Sequence, residues 1–77
     1  MWQIDKIIEV AKQLQRTGST PASTGERIAA AFVLNKPEYL PNSYPDIVDA
    51  WDCLDDEWQD YVRLVKRDYM HQIHHTQ

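Results

Sequence analysis

Seventy-seven residues with one cysteine already exclude several classes of protein. A chain this short forms one small domain and has little room to enclose a ligand cavity of roughly 300 Å3. Cys53 has no second cysteine to bridge, so a disulfide scaffold is excluded and a reducing, cytoplasmic setting is expected. The apolar share of 43% and charged share of 26% describe a chain that folds.

The net charge is −4, unevenly spread. Residues 1–36 carry five bases against three acids, while residues 37–77 carry three bases against nine acids. Such asymmetry bears on partners and not on fold. The N-terminus lacks the basic start and apolar run of a secretory leader. The longest apolar run, Ile28 to Leu34, is too short to cross a bilayer, so no membrane partner is expected.

In chain order, the pattern predicts about four helices and no strand. Residues 3–16 form the first, with Ile4, Ile7, Ile8, Ala11 and Leu14 on one stripe and Trp2 extending it. Gly18 ends it. The small polar stretch Thr17 to Thr24 is a loop that closes on a start signal, Ser23 with Glu26 three residues later. The second helix, 24–35, is apolar nearly all round, which predicts the most buried position, and Asn35 suits its C-terminal cap.

Pro37, Pro41 and Pro45 make the next segment an irregular connector, because each proline fixes φ and removes a backbone donor. Tyr39, Leu40 and Tyr44 are expected to pin it to the core. Ser43 with Asp46 reads as a second start signal, for a short helix over 46–54. Its residues Ile47, Val48, Ala50, Trp51 and Leu54 are expected to face inward, opposite Asp46, Asp49, Asp52 and Cys53. Asp55 or Asp56 then caps a helix over 56–73, whose stripe is Trp58, Tyr61, Val62, Val65, Tyr69 and Ile73. The expected fold is a compact, single-domain all-α bundle with the second helix in the middle. A merger of the last two helices is the alternative, which would put Trp51 and Trp58 on one face.

Enzyme motifs are missing from the sequence. Gly18 and Gly25 form no phosphate-cradling loop, and no H-E-x-x-H, C-x-x-C or G-x-S-x-G occurs. Cys53 stands among acids, which raise a thiol pKa and weaken it as a nucleophile. His71, His74 and His75 contain one pair at chelating spacing, but no third ligand nearby except Asp68. The expectation is therefore no catalysis, no cofactor and no metal.

What stands out is Asp46 to Asp60, with seven acids, two tryptophans and no base. Capping accounts for Asp46, Asp55, Asp56 and Glu57, leaving Glu38, Asp49, Asp52 and Asp60 without a local reason. Carboxylates at steps of three and four lie about 5–6 Å apart on a helix, a row that a basic, phosphate-binding cleft would accept. The candidate partner-binding set is Glu38, Tyr39, Tyr44, Asp49, Asp52, Asp56 and Asp60. The expected partner is a larger protein or nucleoprotein complex with a basic surface, and direct nucleic-acid binding is not expected.

In size and charge the chain resembles the type of small acidic inhibitor that phages and mobile elements use against restriction and CRISPR systems. That resemblance implies occupation of a nucleic-acid-binding groove. Two alternatives remain. One is an adaptor, homodimeric or not, that binds through an apolar helix face. The other is a DNA-binding regulator using the basic N-terminal half. The long connector and the acids on the 46–54 helix argue against the regulator.

Overall fold

A computed structural model of the chain describes residues 2–44 and 46–74, the side chain of 74 excepted. Five helices and one 3-10 turn occur among the described residues, with no strand. They are α1 (Trp2–Thr17), α2 (Thr24–Leu34), the 3-10 turn Pro37–Tyr39, α3 (Ile47–Cys53), α4 (Asp56–Asp68) and α5 (Met70–His74). The molecule measures 30 × 26 × 18 Å, and the short dimension is the thickness of two helix layers at about 8–10 Å each.

The expected local signals act as read. Gly18 takes φ +79, and its N–H donates to the Leu14 carbonyl at 2.8 Å, closing α1. Ser23 and Glu26 exchange hydrogen bonds as a capping box at the start of α2. Asn35 adopts the left-handed conformation at φ 59, and Lys36 N–H donates to the Ala31 carbonyl, ending α2. Asp55 accepts the Trp58 N–H at 2.9 Å to begin α4.

One continuous core holds these elements together. α2 is its centre: Ile28, Ala29, Ala30, Ala31, Val33 and Leu34 are all buried. α1 packs along it through Ile4, Ile7, Ile8, Val10, Ala11 and Leu14, while α4 adds Val62 and Val65. The alanines let neighbouring backbones come close, so a single 11-residue helix can carry contacts on several sides. Arg27 Nε donates to the Tyr39 carbonyl at 2.8 Å, and Leu40 is buried, so the connector is pinned to α2 as expected.

Three details depart from the sequence reading. α3 is capped by Asp46 itself, which accepts the Val48 and Asp49 N–H groups, and not by Ser43. Ile47 and Val48 do not face inward: they are 50% and 65% exposed. α3 has seven residues and α2 as its main neighbour, so only Ala50 and Leu54 are fully covered. Val48 lies two residues before Ala50, about 160° round the helix, and points away.

The helix expected over 56–73 breaks at Tyr69 (φ −123, ψ 6), and α5 resumes at Met70 to bring Ile73 against α1. No glycine or proline marks that break. α3 and α4 are separate, as expected, and not merged, because Leu54 is extended (φ −80, ψ 136). Pro45 and His75 lie outside the described residues.

Candidate binding surface

The break at Leu54 divides the two tryptophans that a continuous helix would have aligned. Trp51 on α3 packs edge-on against Phe32 of α2, with ring centres 5.1 Å apart. Trp58 on α4 packs edge-on against Tyr61 at 5.8 Å and the exposed Trp2 at 6.2 Å. Gln59 joins the halves by donating its side-chain N–H to the carbonyls of Trp51 and Leu54, at 3.0 and 3.1 Å. The Leu54 carbonyl is thereby satisfied, and the Trp51 carbonyl, which already accepts the Leu54 N–H, takes a second donor.

The same break divides the carboxylates. The row expected to step through Asp46, Asp49, Asp52 and Asp56 does not run along one helix. Asp49 and Asp52 are one turn apart on the exposed face of α3, Asp56 lies in the first turn of α4, and Glu38 lies in the 3-10 turn. All four are exposed, and no hydrogen bond or ion pair joins any of the four carboxylates to another described residue.

The remaining acids of the 46–60 stretch are engaged. Asp46 and Asp55 are caps. Glu57 faces the Tyr61 hydroxyl, whose pKa is raised by burial first and by that carboxylate second. Asp60 accepts from Arg63 at 2.9 Å, and the same guanidinium lies 5.3 Å from the Trp51 ring centre. Asp60 therefore has the local reason the sequence reading did not find. The signal was present, because Arg63 stands three residues on, at the spacing where helix neighbours meet.

Tyr39 and Tyr44 are half-buried and packed on the core, so each offers a ring edge and not a free side chain. The exposed Cys53 side chain, at the end of α3, is the main cause raising the pKa of the Tyr44 hydroxyl.

An apolar depression of about 60 Å3 opens where α2, the 3-10 turn and α3 meet. Ala31, Phe32, Leu40 and Ile47 line it together with Lys36 and Pro37. It is far below the roughly 300 Å3 of a small-molecule site but would take the end of one aliphatic side chain. The sequence reading missed this feature, because Ile47 and Val48 had been counted as core.

The bases of the chain are largely committed to structure. Arg27 holds the connector, Lys66 Nζ donates to the Phe32 carbonyl at 3.2 Å, Arg63 pairs with Asp60, and Arg67 pairs with Asp68. Among the described residues no three His, Cys, Asp or Glu side chains converge as metal ligands, and no helix is long and apolar enough to cross a membrane. No known family model matches the chain, and no curated protein or solved structure matches it either.

Proposed function

We propose that this chain is a non-enzymatic binding protein whose exposed carboxylates, Asp49 and Asp52 on α3 with Glu38 and Asp56 on the elements before and after it, occupy a basic, nucleic-acid-handling surface of a larger protein. The observation that carries the reading is the set of four exposed carboxylates without a base partner among the described residues. Asp49 and Asp56 gain from the dipole at a helix start, but Asp52 does not, and it repels Asp49 one turn away by a few tenths of a kcal/mol. A partner's lysines and arginines would remove that repulsion and speed encounter. Inhibition follows if the surface so covered is one that binds phosphates.

The test compares the chain with its Asp49→Lys, Asp52→Lys, Asp56→Lys variant as immobilised baits. None of the three residues is a cap or a core group, so the variant should fold. The native chain should retain nucleic-acid-binding proteins from a lysate and release them as salt rises, since charges are screened within about 8 Å at physiological ionic strength. Identical retention by the folded variant would remove these carboxylates from the mechanism.

The adaptor reading has an observation of its own, the exposure of Ile47 and Val48 on one short helix. An apolar helix face of this kind would bind a partner by burial and not by charge.

A further inference from the structure

The outer face of α3 is not purely acidic. Val48 and Asp52 are one turn apart and share that face, and Asp49 flanks them. Beside Val48, Ile47 forms one wall of the apolar depression. Two large aliphatic side chains thus stand in water next to a preformed apolar notch, on the same short helix as the exposed Asp49 and Asp52.

Charge chooses the occupant. A second copy meeting this face across a two-fold axis would set Asp49 and Asp52 against their own equivalents. Arg63 and Arg67 are in ion pairs, Lys66 and Arg27 bond to carbonyls and Lys6 pairs with Glu9, while Lys12 and Arg16 share the surface of α1 with Asp5 and Glu9. Lys36, which lines the depression, is outnumbered by Glu38, Asp49 and Asp52. The complement of this surface is an apolar side chain flanked by lysine or arginine.

We propose that the exposed face of α3 and the depression at its start dock a basic amphipathic helix of a partner protein, with an aliphatic side chain against Ile47 and Val48 and lysines or arginines on Asp49 and Asp52. This rests on the exposed carboxylates being the binding groups and adds that a specific apolar contact, as well as charge, selects the partner. Recognition would follow the helix-in-groove mode, with apolar anchors giving affinity and flanking charges giving register.

Three synthetic helical peptides of equal length test it: one patterned with leucine and lysine, one in which glutamine replaces leucine, and one in which glutamate replaces lysine. The readout is fluorescence anisotropy, with amide shifts in a heteronuclear spectrum to locate the contact. The leucine–lysine peptide should bind about tenfold tighter than either control, the effect of burying one aliphatic side chain. Its contacts should map to α3 and residues 31–40. Ile47→Ser with Val48→Ser should cut binding to the level of the glutamine–lysine peptide, and Asp49→Asn with Asp52→Asn should weaken it by a comparable factor.

Equal binding of the two lysine peptides would overturn the apolar contact while leaving the acidic reading standing. Equal binding of the two leucine peptides would overturn both. Binding mapped elsewhere, absence of binding, or a dimer in sedimentation that Val48→Ser dissolves would overturn the docking proposal.

Discussion

Helices α2 and α3 lie near each other in the chain and share an apolar character, yet their residues end in opposite environments. In α2 Ile28, Ala29 and Ala30 are wholly buried, whereas in α3 Ile47 and Val48 are half to two-thirds exposed. The difference lies in neighbours. α2 is covered by α1, α4 and the 3-10 turn, while α3 has mainly α2 to lean on. Apolarity supplies a reason to be buried, and the number of packed neighbours decides whether burial happens.

The sharpest break in that comparison is between two aliphatic truncations. Ile28→Ala should lose about 2–5 kcal/mol, because it removes methylenes from a closed site in the middle of the core. Val48→Ala should stay within about 0.5 kcal/mol, as for other exposed positions. Denaturant midpoints at constant slope measure both, and equal losses would mean that α3 is packed against something else.

Removing the caps sharpens the contrast at a smaller scale. Ser23→Ala and Asp46→Ala each delete a side-chain acceptor at a helix start, a loss of about 1 kcal/mol. The first should appear in global stability because α2 is the centre of the core. The second should appear chiefly as faster amide exchange within α3, since that helix can open without exposing α1 or α4. A full global loss from Asp46→Ala would show α3 to be part of the cooperative unit.

The smallest effect concerns pH. Tyr44, through Cys53, and Tyr61, through burial and Glu57, both hold their protons more tightly folded than unfolded. The stabilisation is therefore complete below the usual tyrosine value of 10.0 and is lost as pH climbs through the raised folded values. Phenolate absorbance should show late titration of both, and Cys53→Ala should return Tyr44 alone toward its ordinary value. An unchanged Tyr44 in that variant would rule out Cys53 as the cause.

The helix ends were legible because their determinants are local. A capping serine with a glutamate three residues on, a glycine at positive φ and an asparagine in the left-handed region need nothing beyond their own turn. The stripes of α1 and α4 were legible for the same reason of periodicity. The candidate surface was half legible: the exposure of Asp49 and Asp52 followed from the acidic run, whereas the pairing of Asp60 with Arg63 was present at helix spacing and was passed over. The exposure of Val48 escaped because a pattern of apolar residues does not say how many neighbours a seven-residue helix will have.

The amino-acid order by itself determined an all-helical chain, the places where most helices begin, and a run of charge with no counter-charge of its own. Only the tertiary structure decided the bend at Tyr69, the Gln59 bridge over the α3–α4 break, and the use of Arg27 and Lys66 on carbonyls of distant segments. Caps and periodicities are read within one turn of backbone. Whether a side chain meets water, a carbonyl or another ring depends on which remote segment arrives beside it, and that is settled by packing.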